Sequence, residues 1–144
     1  MIRDRGDYER VMAIYRADSV LHWQQFVCRE FVPLRRVEVD AGTKVAPSFE
    51  FRTFWHRRHF LGAGRYWYAV PEYRWTDQER DEALALAGKV ATVLDCGFLV
   101  VDLAMTEEAR WIVIECNDGM ESGYAGVSPF VLWRALLDQL QLFG

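Results

Sequence analysis

Apolar positions recur with a helical period in three stretches of the chain. Tyr8, Val11, Met12 and Tyr15 fall at i, i+3, i+4 and i+7 on one helical face, and Asp7 stands where an N-cap belongs. A second stripe, Leu84, Ala87, Ala91 and Leu94, follows Thr76 and Glu79, which are spaced as a capping box; it predicts a helix ending near Leu94. A third opens at Ser128 with Pro129 in the first helical position, where its missing N–H costs nothing, and continues through Leu132, Leu136 and Leu140.

Elsewhere the period shortens to two or gives way to brief apolar runs. This predicts strands at residues 26–32, 49–55, 65–69, 98–103 and 110–116. The polar turn His56-Arg57-Arg58 joins the second strand to the stretch from His59 to Leu61, and Thr106-Glu107-Glu108 joins the two C-terminal strands. Five strands and three helices make an α+β domain with a mainly antiparallel sheet and flanking helices.

Composition narrows the class. With 144 residues, 51% of them hydrophobic and 26% charged, the chain fits a single folded domain rather than a disordered tail or a membrane protein. No apolar run nears the roughly 20 residues that cross a bilayer, and Met1-Ile2-Arg3-Asp4-Arg5 lacks a secretion signal's apolar core, so the expected location is the cytoplasm. The net charge, 17 − 21 = −4, disfavours nucleic-acid binding by bulk electrostatics. Cys28, Cys96 and Cys116 form no Cys-x-x-Cys pair and read as buried thiols, neither disulfide-bonded nor zinc-binding.

The chemistry concentrates near the C-terminal hairpin. Glu115 and Asn117, two apart on a strand, share a face, and a turn near Glu107 brings Asp102 directly or diagonally opposite Glu115. Two carboxylates and an amide oxygen on rigid strands suit Mg²⁺, which takes a few protein oxygens and leaves its other positions to water and phosphates. A plainer account makes Glu115 and Asn117 the polar end of a half-exposed strand, with Asn117-Asp118-Gly119 an ordinary turn. Asp102 tips the balance, because it interrupts the apolar run from Phe98 to Leu103, and a carboxylate there is costly unless paired or metal-bound.

Phe98-Leu99-Val100-Val101-Asp102-Leu103-Ala104 followed by Trp111-Ile112-Val113-Ile114-Glu115-Cys116-Asn117 resembles the metal-binding hairpin of the ATP-grasp superfamily. Glu50-Phe51-Arg52-Thr53-Phe54 resembles its phosphate-reaching strand, and Arg29-Glu30-Phe31-Val32 its adenine-lining hinge. The nearest clade is the one named for two arginines and a lysine, with Arg29 and Arg52 as the arginines. The resemblance implies that Asp102, Glu115 and Asn117 hold Mg²⁺ and that Arg29 and Arg52 contact the phosphates of ATP, Arg52 as the catalytic candidate. Glu30, Phe31 and Val32 would line the nucleotide. The implied reaction ligates a small-molecule or peptide carboxylate to an amine or similar nucleophile by way of an acylphosphate. Arginine suits such bidentate phosphate contact.

The resemblance also implies that residues 1–144 form one ATP-grasp-like domain, with 1–24 a remnant of a preceding lobe and 25–144 the metal- and nucleotide-binding lobe. The Lys-bearing strand and glycine loop of that preceding lobe have no counterpart here, so a homodimer, a partner chain or upstream sequence is expected to complete the site. Lys89, inside a predicted helix, is a poor substitute. Residues 117–127, carrying Gly119, Gly123 and Gly126, would cover the acceptor, with Ser122 and Tyr124 as contacts.

Two other readings remain. The lobe could serve as a noncatalytic binding or oligomerisation module. The weakest is single-stranded nucleic-acid binding by His56-Arg57-Arg58-His59 beside Trp55 and Phe60, since an Arg-rich turn is ordinarily just solvated.

Overall fold

Asp4, rather than Asp7, caps the first helix: its carboxylate accepts the Asp7 N–H at 2.8 Å, and α1 runs Arg5–Ala17. The computed structural model describes residues 2–39, 46–70 and 73–142. Its two compact units are Met1–Val32 and Pro33–Gly144. In the first, the Tyr15 hydroxyl donates to the Gln24 carbonyl while its ring meets Phe26 edge-on at 5.1 Å. Residues 26–32, expected as a strand, carry no regular secondary structure, and most of their side chains are exposed. Alternation alone does not make a strand without a neighbouring edge.

The second unit holds a four-stranded antiparallel sheet in the order β2-β1-β3-β4. β1 is Glu50–His56, β2 His59–Arg65, β3 Phe98–Met105 and β4 Trp111–Asp118. Arg57, with φ 55°, makes the tight hairpin between β1 and β2 at the expected turn. The following strand then begins at once and ends at Arg65, the residue at which the sequence pattern predicts its start. Gly62 and Gly64 mask that strand, because glycine lowers strand propensity while here it admits close neighbours.

α2, Asp77–Leu94, has both halves of its capping box and covers one sheet face with Ala83, Ala87 and Ala91 against Trp55, Leu99, Val101 and Leu103. Leu94 falls off that stripe and is exposed. α3, Pro129–Leu142, lays Leu132 and Leu136 on the other face against Phe54, Leu61 and Val100, while Leu140 is exposed. The thiols are less buried than expected: Cys28 is exposed and Cys96 and Cys116 are half-buried.

Candidate functional site

The sheet register lines up Gly64, Arg52, Asp102 and Glu115 as one row across all four strands. Alternation puts that row on the α3 face, beyond the apolar patch of Phe54 and Val100. Arg52 forks onto Asp102 with Nε–Oδ1 at 2.8 Å and Nη2–Oδ2 at 2.7 Å, and its Nη1 donates to the Gly123 carbonyl at 2.8 Å. Glu115 Oε1 lies 3.8 Å from Nη2 and accepts Asn117 Nδ2 at 2.9 Å. The Tyr66 ring lies 5.1 Å from the guanidinium carbon.

Burial differs sharply along the row. The Asp102 side chain is 0% exposed and that of Arg52 10%, whereas Glu115 is 51% exposed, and Asn117 is exposed too. The Asp102 hydrogen bonds hold the Arg52 cation, raising its pKa against the opposing effect of burial. Burial pushes the Asp102 carboxyl above the usual carboxylate range against the pull of Arg52, and the Glu115 charge adds to that push. Glu50, one alternation along β1 from Arg52, is buried and likewise raised, first by desolvation; its bond from the Ser48 hydroxyl at 2.7 Å works the other way.

Two carboxylates, Asp102 and Glu115, face the Arg52 guanidinium, and Glu50 feels the charge of both. Among the described residues no group of three or more His, Cys, Asp and Glu is placed to hold a metal ion unaided. The exposed oxygens of Glu115 and Asn117 suit a hard cation that shares its shell with phosphate and water, as Mg²⁺ does. Three of the five guanidinium N–H groups of Arg52 have hydrogen-bond acceptors among the described residues, and Nη2 also faces Glu115.

Of the residues singled out in the sequence, Arg52, Asp102, Glu115 and Asn117 thus come together. Arg29, Glu30, Phe31 and Val32 lie in the Met1–Val32 unit, outside any helix or strand, with the first three exposed. The roles of Glu50 and Tyr66 were not foreseen, although the two-residue spacing of Glu50 and Arg52 marks a shared face. Residues 117–127 are anchored: Gly123 holds Arg52, and the Gly126 N–H donates to the Arg65 carbonyl at 3.0 Å. Ser122 donates to the Asp118 carbonyl, and the Tyr124 hydroxyl accepts from Trp133 Nε1. The His56-Arg57-Arg58-His59 turn sits roughly 13 Å along β1 from Arg52, and Arg58 pairs with Asp95 at 3.3 Å. No helix among the described residues is long and apolar enough to cross a membrane.

A family model for ATP-grasp domains, family 3 of the clade named for two arginines and a lysine, matches residues 1–136. No curated protein matches the chain. A crystal structure of the macrocyclase MdnB from Microcystis aeruginosa is similar at 16% identity with a TM-score of 0.43; the match covers 100% of this chain and 48% of that one. The chain thus spans about half the length of that neighbour.

Proposed function

Because the chain belongs to family 3 of the two-arginine, one-lysine clade of ATP-grasp domains, we propose that the Arg52–Asp102–Glu115 row is the phosphate-handling face of an ATP-dependent ligase. The reaction would join a carboxylate to an amine or similar nucleophile by way of an acylphosphate, with ATP and Mg²⁺ as cofactors and the cytoplasm as its location. The observation that carries this reading is the buried guanidinium of Arg52, fixed by Asp102 and Gly123, with two N–H groups that have no hydrogen-bond acceptor among the described residues.

A cation held in that way needs no reorganisation to meet developing charge on a phosphoryl group, which is where electrostatic catalysis acts. Asp102 positions Arg52. Glu115 and Asn117 would hold Mg²⁺, whose contribution when bound is to neutralise phosphate charge. Asp102, in the same row, would complete the oxygen set through lone pairs that the Arg52 fork leaves over. The roles of Arg29, Glu30, Phe31 and Val32, phosphate contact and adenine lining, rest on their sequence resemblance.

Calorimetric titration of ATP with Mg²⁺ into the protein and into Asn117→Ala tests the reading. Tighter binding by the unmodified chain supports it; equal binding, or none in either, counts against it.

A noncatalytic homodimer is a second reading, supported by the exposed apolar stripe Phe130, Trp133, Leu137 and Leu140 on α3. These residues follow a heptad-like 3-4-3 spacing, which suits pairing with the same stripe of a second copy. A dimer in gel filtration that is inert toward nucleotide, and monomeric as Leu137→Lys, would favour it.

A further inference from the structure

Tyr66 stands at the β2 end of the face that carries Arg52. Its amide donates to the Glu50 carbonyl at 3.0 Å, which carries the β1–β2 ladder one residue past Arg65. Gly64 pairs with Arg52, so Tyr66, two residues on, turns its side chain to the same face. That brings its ring to 5.1 Å from the Arg52 guanidinium carbon, where the cation is drawn to the electron-rich face of the phenol. Trp67 steadies the ring, meeting it edge-on at 5.4 Å while its own indole N–H donates to the Ser48 hydroxyl at 3.2 Å.

The ring is thus fixed by its neighbours, whereas its hydroxyl has no hydrogen-bond partner among the described residues. Burial and then the charge of Asp102 raise that hydroxyl above its ordinary pKa of 10.0, so it stays a neutral donor. Glu115 and Asn117 lie on β4, at the other end of the strand order, with Arg52 on β1 in between. A guanidinium with two N–H groups lacking an acceptor and a phenol O–H lacking one therefore stand together on the side away from the candidate metal ligands.

We propose that the Tyr66 hydroxyl is a further substrate contact on this face, donating to the terminal phosphate of the polyphosphate that Arg52 meets. This rests on the phosphate-handling reading above. A hydrogen bond to an anion is roughly twice as strong as one between neutral groups, and a phenol supplies it without adding charge. Phenylalanine in its place keeps the ring on Arg52 and loses only the donor.

The test is calorimetric titration of ATP, ADP and inorganic tripolyphosphate, each with Mg²⁺, into the full chain, Tyr66→Phe and Asn117→Ala. We expect Tyr66→Phe to bind ATP and tripolyphosphate about tenfold more weakly, with ADP affinity and the urea midpoint unchanged. Unchanged binding of ATP and tripolyphosphate by Tyr66→Phe, with Asn117→Ala weakened, overturns the Tyr66 contact and leaves the phosphate-handling face standing. ADP weakened as much as ATP makes Tyr66 a support for Arg52 alone and also overturns it. No binding of ATP or tripolyphosphate by the unmodified chain overturns both. If Tyr66→Phe fails to fold, judged by circular dichroism, the tyrosine absorbance of the unmodified chain decides: tripolyphosphate must move the ionisation of one tyrosine to higher pH, and no such movement overturns the contact.

Discussion

Arg52 and Asp102, 50 residues apart in sequence, face each other on neighbouring strands and are joined by two parallel hydrogen bonds of 2.8 and 2.7 Å. Removing one member strands the other. Arg52→Met leaves the fully buried Asp102 without its cation, and the expected loss is about 3–5 kcal/mol in urea unfolding. The double variant Arg52→Met, Asp102→Leu should recover most of that loss, because no uncompensated charge remains. If Arg52→Met proves as stable as the unmodified chain, the pair is not the internal electrostatic contact its geometry indicates.

How much of this was legible in the sequence depends on distance along the chain. The Asp102–Glu115 pairing could be read because a short turn, Thr106 to Arg110, fixes the register of a hairpin. The cap at Thr76 and the start at Pro129 were likewise local. The fork from Arg52 to Asp102 could not be derived from spacing, since β1 and β3 meet across the whole of α2. Residues 26–32 alternate like a strand and yet lack an edge to join, whereas β2, weakened locally by Gly62 and Gly64, forms because β1 templates it.

Two titratable groups on β1 should bend the stability profile with pH in opposite senses. Burial raises Glu50 above its ordinary value of 4.5, so the folded state holds the proton longer and stability falls as pH rises from about that value through the raised folded one. His56 is lowered from 6.5, first by burial and then by Arg57 and His59, so stability falls as pH drops through 6.5 toward its folded value. Urea midpoints measured across pH should flatten in the first window for Glu50→Gln and in the second for His56→Gln. A profile of Glu50→Gln that overlies the unmodified chain would remove Glu50 from the account.

Gly64, opposite Arg52, is where Gly126 and Val127 of the 117–127 segment lie against β2. A Cβ there would stand 2.5 Å from the Gly126 carbonyl carbon and 2.6 Å from the Val127 nitrogen, both backbone atoms that cannot swing aside. Gly64→Ala should therefore lift the segment, costing about 1–3 kcal/mol in thermal unfolding and exposing the Gly126 amide to hydrogen exchange. Retained protection of that amide would show that the segment is not seated on β2.

Gly119 sets the end of β4 in the same way, just past Asn117. Its amide donates to the Phe98 carbonyl at 3.0 Å, and an added Cβ would fall 2.6 Å from the Phe98 ring, itself packed between Phe54 and Trp133. The ring has little room to yield, so Gly119→Ala should cost about 1–3 kcal/mol by overpacking. Because the strand end carries Asn117, the same change should also weaken any Mg²⁺-dependent ATP binding more than its stability loss alone accounts for. Phe98→Leu opens the space, and the pair Gly119→Ala, Phe98→Leu should return both properties part of the way. Rescue of stability without rescue of binding would separate the strand end from the site; rescue of neither would mean that Phe98 is not the obstacle.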